Sequence, residues 1–247
     1  MKQSFYPMVQ IGFVLLTLVY LFFFIRIFRQ GLAATPWEPA RKKRFGFRMT
    51  ILPLIWVLLI SIWSASGLMS EFSIFPLNFM PVILIPMIVA VVWVSSSQVS
   101  EILQHIPPAN IIQLQSFRFF VEILLWLLFI ENRVPVQMSF EGRNFDILAG
   151  ISAPVIAYLA SHGKISRGGV IFWNVACLGL LLNIVITAIL STPSPWRVFM
   201  NEPANYVVTY FPVSWLPGFL VPMAYFLHFL SLKQLLRTQI SVSTEKM

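Results

Sequence analysis

The residues whose side chains are most capable of binding or catalysis are Arg118 and Glu122. They interrupt the apolar segment SFRFFVEILLWLLF, residues 116–129. Residues four apart are stacked neighbours on an α-helix, so these two side chains are predicted to form an ion pair. A charge at the centre of a membrane helix costs about 2.5–3.5 kcal/mol on insertion scales. Pairing and orientation toward other helices would recover much of that cost, so the charges need an explanation.

Gln115 precedes the pair by nearly one helical turn, which predicts a polar stripe of Gln115, Arg118 and Glu122 on an apolar cylinder. Two interpretations of this stripe stay open. The pair fixes helix packing, or it lines a cavity or pathway. A third arrangement, with Arg118 extended to the interface and Glu122 facing lipid, is less economical because it leaves a carboxylate in hydrocarbon.

A second polar concentration follows directly in residues 131–150, ENRVPVQMSFEGRNFDILAG. Its candidate binding residues are Glu141, Arg143, Asn144 and Asp146. Asn144 or Asp146 is predicted to cap the helix that begins here, because a carboxylate or amide oxygen satisfies free backbone N–H groups and suits the helix dipole. The alternative is a vestibule that leads down to Glu122.

Two later segments add to the same predicted region. Gly150, Ala153, Ala157 and Ser161 recur at helical spacing and form a small-residue face suited to close helix contact. Tyr225 and His228 are polar candidates in the last apolar segment. A polar cavity is therefore predicted around the fourth, fifth and seventh segments.

The elements that position these residues follow from composition. The chain has 247 residues, of which 58% are hydrophobic and 11% charged, and its mean hydropathy is +0.81. Soluble domains are about 25% charged. Such a composition excludes a soluble globule of this size and predicts a polytopic membrane protein.

A membrane-spanning helix needs about 20 apolar residues. The chain is accordingly predicted to be all-α, a single transmembrane domain over residues 1–247 with seven helices. The predicted segments are about 8–28, 49–69, 79–96, 109–131, 146–161, 169–191 and 215–235.

The net charge of +8 and pI of about 10.0 would be typical of nucleic-acid binding in a soluble protein. Here the basic residues lie at the ends of apolar segments, so no nucleic-acid partner is expected and the charge predicts membrane orientation. Twelve of the 17 Lys and Arg residues would lie inside: Arg26, Arg29, Arg41, Lys42, Lys43, Arg44, Arg48, Lys164, Arg167, Lys233, Arg237 and Lys246. Four would lie outside, namely Lys2, Arg133, Arg143 and Arg197, and the remaining one is Arg118.

This bias predicts an external amino terminus and a cytoplasmic carboxyl terminus, in the inner membrane if the source is bacterial. The block Arg41, Lys42, Lys43 and Arg44 is the candidate site for anionic lipid headgroups at the cytoplasmic face. The bilayer is thus the first expected partner. Other membrane proteins or further copies of the chain are the second.

No cofactor or metal is expected. No lysine lies deep in a segment to bind retinal, and the histidines His105, His162 and His228 do not form a matched pair for haem. They also lack the spacing of a zinc hydrolase, and Cys177 is the only cysteine. No GxxxxGK[ST] loop for a nucleotide is present.

The expected function is therefore non-enzymatic. The chain would bind or conduct a small solute, or serve as a subunit of a membrane complex. The alternative is a membrane-embedded enzyme that acts on a lipid or isoprenoid substrate, with Glu122 as acid/base and His228 or Asp146 assisting. An enzyme requires its polar groups to converge at one depth, whereas a pathway requires them to be strung between the surfaces, and the sequence order favours a string.

Overall fold

The structure is a computed structural model that describes residues 4–244, with side chains to residue 236. Lys2 and Lys246, which enter the charge count above, lie outside the described residues, and so does the side chain of Arg237. The described residues form nine α-helices and no strands. The predicted all-helical fold is confirmed.

The helices, numbered along the chain, are α1 Tyr6–Ala34, α2 Pro39–Ala65, α3 Met80–Ser95, α4 Ser97–Leu103, α5 Pro108–Leu114, α6 Phe117–Ile130, α7 Ile147–Ser161, α8 Arg167–Ser191 and α9 Val221–Thr244. A π-helical turn, Leu216–Leu220, leads into α9, and short 3₁₀ turns cover Leu68–Ser70, Val136–Met138 and Val207–Thr209.

Five spans are long and apolar enough to cross a membrane: Tyr6–Ala34, Pro39–Ala65, Pro108–Ile130, Arg167–Ser191 and Leu216–Leu236. The pair α3 and α4 makes a sixth if its 70° bend is counted within one span. Helix α7, the predicted fifth segment, has only 15 residues. The chain is thus a helical, multi-pass membrane protein, and the count of seven spans stays a prediction.

The predicted start of the second helix is wrong. Helix α2 begins at Pro39 rather than near residue 49, so Arg41–Arg44 lie in its first turns and not in a connection. Proline at a first helical position loses no hydrogen bond and has the required φ, which explains the early start. The bounds of the predicted fourth segment match the apolar span Pro108–Ile130, within which the α-helix is interrupted at Gln115 and Ser116, between α5 and α6.

Local chemistry sets the other helix starts. The hydroxyls of Ser96 and Ser166 accept hydrogen bonds from the backbone N–H groups of Val99 and Gly169, each at 3.1 Å, at the starts of α4 and α8. These serines satisfy donors that a helix start leaves free.

The loops that connect the helices lie at the two opposite ends of the bundle. Residues 66–79, 131–146 and 192–215 meet at one end, called here the long-loop end. For example, the Ser64 hydroxyl donates to the Thr209 carbonyl oxygen over 2.8 Å, and the rings of Phe72 and Tyr206 lie 5.4 Å apart. Residues 35–38, 104–107 and 162–166 form the opposite, short-loop end.

Helix α7 packs mainly against α5 and α6 through its small residues. Gly150, Ala153 and Ala157 are buried, which confirms the predicted face for these three, whereas Ser161 is exposed. The approach is closest at Gly150, where an added Cβ would lie 2.1 Å from the Phe119 backbone nitrogen. Glycine is needed here because the two backbones touch.

The start of α1 is held to the end of α6 by Glu131. Its carboxylate accepts hydrogen bonds from the Phe5 backbone N–H at 2.6 Å and from the Ser4 hydroxyl at 2.9 Å. These bonds lower the pKa of the partly exposed Glu131 carboxyl below its usual value, first through Phe5 and then through Ser4.

This tether should depend on pH. A lowered folded-state pKa means that Glu131 stabilises the tether above the ordinary carboxyl pKa of about 4.3, and that the effect is lost as pH falls through the folded value. Hydrogen-exchange protection of the Phe5 amide should therefore drop in that window. Glu131→Gln should remove the pH dependence, and a pH response equal to that of the unsubstituted chain would contradict this account.

Candidate functional site

The partner of Arg118 is Asp146 and not Glu122, so the predicted pairing is wrong. The Arg118 guanidinium makes a bidentate ion pair with the Asp146 carboxylate, through Nε to Oδ2 at 2.6 Å and through Nη2 to Oδ1. Both residues are buried, at 1% and 4% exposure. The planar fork of arginine favours a two-point contact. Asp146 offers that contact because the close crossing of α6 and α7 brings the start of α7 against Arg118.

Arg118 also joins the later helices. Nη2 donates to the Cys177 carbonyl oxygen in α8 at 3.2 Å, and Nη1 lies 2.9 Å from Nε2 of His228 in α9. Arginine can only donate, so His228 Nε2 accepts and its proton sits on Nδ1. That Nδ1 lies 2.9 Å from Asn174 Oδ1 and donates to it. Both ring nitrogens of the neutral imidazole are therefore hydrogen-bonded.

Asn174 extends the network within α8 and across to α9. Its Nδ2 donates to the Val170 carbonyl oxygen at 2.9 Å and to the Ser231 hydroxyl at 3.1 Å. Sequence reasoning did not select Asn174 as a site residue. The available signal was an amide in the middle of an apolar segment, where polar groups are costly and mark sites or contacts.

Glu122 stands apart from this network and is also buried, with 1% exposure. Its Oε2 accepts one hydrogen bond, from Asn144 Nδ2 at 2.5 Å. Within residues 4–244 this is its single hydrogen bond, and it has no ion-pair partner. A buried carboxyl group is thus left with one donor.

Asn144 and Asp146 do not cap α7 as predicted, because neither side chain accepts from the first turn of that helix. Asn144 instead organises the loop that precedes it. Its Nδ2 donates to the Met138 carbonyl oxygen at 3.0 Å, and its Oδ1 accepts from the Asp146 backbone N–H at 3.1 Å. Asn144 therefore positions both carboxylates of the site.

A cavity of about 90 Å³ reaches these carboxylates from the long-loop end. Glu122 and Asp146 are the two ionisable groups in its wall, and the rest is mainly apolar, as at Val121, Leu125, Leu181, Ile184, Val208 and Leu216. Since a water needs about 10–15 Å³ by this measure, the cavity has room for several waters or one small solute.

The side chains of Gln115 and Tyr225 form no hydrogen bond with this network in the described residues. Gln115 is buried, and its Nε2 donates to the Ala224 carbonyl oxygen at 3.0 Å. Tyr225 is half-buried and packs against Phe229, with ring centroids 6.1 Å apart. The predicted stripe is therefore not continuous.

Glu141 and Arg143 are exposed, in contrast to their neighbours Asn144 and Asp146. Glu141 Oε1 accepts from Trp126 Nε1 at 2.5 Å, and the Arg143 guanidinium lies 5.5 Å from the Phe199 ring. The predicted vestibule thus splits into two surface residues and two buried ones.

The basic block is accessible. Arg41 lies 3.9 Å over the Trp37 ring, and Lys42 Nζ donates to the Ala33 carbonyl oxygen at 2.7 Å. Lys43 and Arg44 are exposed. In the part of the chain that the structure describes, no group of three His, Cys, Asp or Glu residues could hold a metal ion.

The apolar spans and the buried ionic network define a helical membrane protein with a polar site inside its bundle. The chain belongs to the family described as a domain of unknown function, DUF8737, which matches residues 74–236. The matched range holds every residue of the network and both carboxylates, whereas α1 and α2 lie outside it. Comparisons with curated proteins and with solved structures find no match.

Proposed function

We propose that this chain is a non-enzymatic membrane protein that binds a small cationic or hydrogen-bond-donating solute in the cavity at Glu122. One observation carries the proposal, the single hydrogen bond of this buried carboxyl group beside an apolar cavity. A buried carboxylate is costly unless a proton, a cation or several donors compensate it. A bound cation or donor would supply that compensation.

The neighbouring charges support this assignment. Arg118 is committed to Asp146, His228 and the Cys177 carbonyl group, so it is not available to neutralise Glu122. Asp146, the other acidic group in the cavity wall, is paired already. Among the described residues, Glu122 is therefore the acidic group of the cavity wall that has no basic partner, which favours a positive or donor ligand over an anion.

The network of Arg118 then serves as a frame. It connects α6, the start of α7, α8 and α9 through side chains that are themselves hydrogen-bonded. Hydrogen bonds of this kind hold the side chains around a binding site in defined positions. The polar residues converge rather than run from one end of the bundle to the other, so binding rather than conduction is proposed.

The test of this proposal is ligand-induced stabilisation. Purified protein is heated with ammonium, methylammonium and tetramethylammonium chlorides at matched ionic strength. A cation at 100 times its dissociation constant should stabilise the native state by about 2.7 kcal/mol. Glu122→Gln, which can still accept from Asn144, should lose this shift.

Glu141→Gln is the matched control, because Glu141 is an exposed carboxylate outside the cavity. It should respond to the cations like the unsubstituted protein. Equal cation-induced shifts in both variants would refute Glu122 as the binding group.

The convergence of Arg118, Asp146 and His228 favours one alternative, a membrane-embedded enzyme acting on a lipid or isoprenoid substrate. There Glu122 would be the acid/base at the end of the apolar cavity. The two functions differ in the Glu122→Gln variant. An enzyme would retain its lipid substrate and lose turnover, whereas a binding protein would lose the ligand itself.

The proposal includes seven spans with the amino terminus outside, in the inner membrane if the source is bacterial. The predicted inner basic residues that are described lie at the short-loop end, in the first turns of α2, in the α7–α8 connection and near the ends of α1 and α9. This assignment makes the short-loop end cytoplasmic. The cavity at Glu122 would then open toward the outside.

Reporter fusions test the orientation. Insertions within Arg41–Arg44 and a fusion after Met247, which lies outside the described residues, should both read cytoplasmic. An insertion at Asn201, in the long-loop end, should read external. Opposite readings for Arg41–Arg44 and Met247 would exclude an odd number of spans with this orientation.

A further inference from the structure

An apolar crevice opens between α2 and α3, and Glu122 is not among the residues that line it. Its volume is about 340 Å³, and its floor is formed by Phe24 of α1 with Met223 and Phe226 of α9. The two walls are apolar, formed by Leu52, Trp56 and Leu59 of α2 and by Ile85, Val89 and Trp93 of α3. The volume falls in the range of ligand pockets, about 300–1,000 Å³.

The polar atoms of Trp56 and Gly218 at the crevice are satisfied within the protein. Pro222 in the floor has no N–H, so the Gly218 carbonyl oxygen lacks its usual helical donor. The Trp56 indole N–H donates to that oxygen at 2.8 Å. Apart from the indole of Trp93, the remaining lining side chains are hydrocarbon or thioether, which suits an apolar chain.

A basic face continues from this crevice toward the short-loop end. Arg48 precedes Leu52 by one turn, and Arg41 precedes Arg48 by seven residues, so both lie on the face of α2 that lines the crevice. Both side chains are exposed, and Arg41 stacks on Trp37. Arg48 has no hydrogen bond or ion-pair partner within residues 4–244.

Helix stability does not account for these arginines. Arg41 is a cation in the first turn of α2, which is unfavourable to the helix dipole although Glu38 lies at the N-cap, and Arg48 lies too far into the helix for the dipole to act on it. The two arginines are therefore explained by an interaction with a group outside α2. Anionic headgroups attract such residues at a membrane surface.

We propose that this crevice is a binding site for an anionic phospholipid of the bilayer. One acyl chain lies between α2 and α3, and the phosphate lies at Arg48 and Arg41. Arg48 and Leu59 are 11 residues apart, or about 16 Å along the helix. This matches half of a hydrocarbon core about 30 Å thick, the depth of one leaflet. The site depends neither on the membrane orientation nor on the proposed ligand of Glu122.

The experiment uses the full chain in nanodiscs that contain equal amounts of phosphatidylglycerol and phosphatidylcholine with identical acyl chains. After transfer to detergent, the retained lipid is counted by native mass spectrometry. The unsubstituted protein should retain one phosphatidylglycerol in preference to phosphatidylcholine. The preference should fall about fivefold for each arginine removed in Arg48→Gln and Arg41→Gln.

Two further variants test the acyl chain. Ala90→Phe fills the crevice from its buried wall, and Leu52→Trp blocks its mouth at a position 47% exposed, where folding is not at risk. Both should lose the retained lipid. Lys164→Gln, an exposed cation at the same end but outside the crevice, is the control and should retain it.

Three results would overturn the site. Retention of phosphatidylcholine equal to that of phosphatidylglycerol would remove the role of charge. Unchanged retention in Leu52→Trp would show that the lipid is held at the basic surface without the crevice. Equal losses in Lys164→Gln and Arg48→Gln would show general attraction of the basic end.

Discussion

Replacing Arg118 alone with Met should lower the free energy of unfolding by about 3–5 kcal/mol, because the buried Asp146 carboxylate then has no countercharge. Arg118→Met combined with Asp146→Leu should recover part of this loss, since an apolar pair of similar volume is often tolerated in place of a buried ion pair. A deficit of about 1–3 kcal/mol should remain, because His228 and the Cys177 carbonyl group lose their donor.

Denaturant unfolding of the single variants Arg118→Met and Asp146→Leu and of the double variant measures this interaction. Arg26→Leu is the control, since Arg26 is exposed on α1, and its effect should stay within about 0.5 kcal/mol. If the double variant lost as much as the sum of the single variants, Arg118 and Asp146 would act independently. Glu122→Leu with Arg118→Met should show far less coupling, because those two residues do not pair.

Gly150→Ala should destabilise the protein by about 1–3 kcal/mol or more, although alanine is the better helix former. The added Cβ would lie 2.1 Å from the Phe119 nitrogen and 2.7 Å from its Cα, so α7 must move away from α6. That movement would also separate Asp146, one turn before Gly150, from Arg118, the neighbour of Phe119. Lost stability should therefore be accompanied by loss of the site.

Gly179→Ala in α8 is the matched control, because nothing lies within 4 Å of its added Cβ. This variant should gain about 0.5–1 kcal/mol, the usual difference between alanine and glycine in a helix. The measurement is again the free energy of unfolding. A similar change in both variants would mean that α6 and α7 do not touch at Gly150.

Features that depend on local composition could be predicted from the sequence. Low charge and long apolar runs predicted helices in a membrane, and the small residues Gly150, Ala153 and Ala157 predicted a close helix contact. Their physical basis is the cost of leaving backbone groups unpaired in hydrocarbon and the short reach of small side chains. Boundaries were less certain, as the early start of α2 at Pro39 demonstrates.

The pairing of the buried groups was decided by the tertiary structure. Helical spacing allows Arg118 to meet Glu122, but it equally leaves Arg118 free to meet residues 28 and 110 positions away, Asp146 and His228. Helical periodicity identifies contacts only between residues of the same helix. A guanidinium, however, pairs best with the carboxylate that can accept two parallel hydrogen bonds. Which carboxylate that is depends on the crossing of α6 and α7 at Gly150. The sequence alone therefore determined that buried charges would need partners, and the packing of the helices decided that Asp146 has one and that Glu122 faces the cavity.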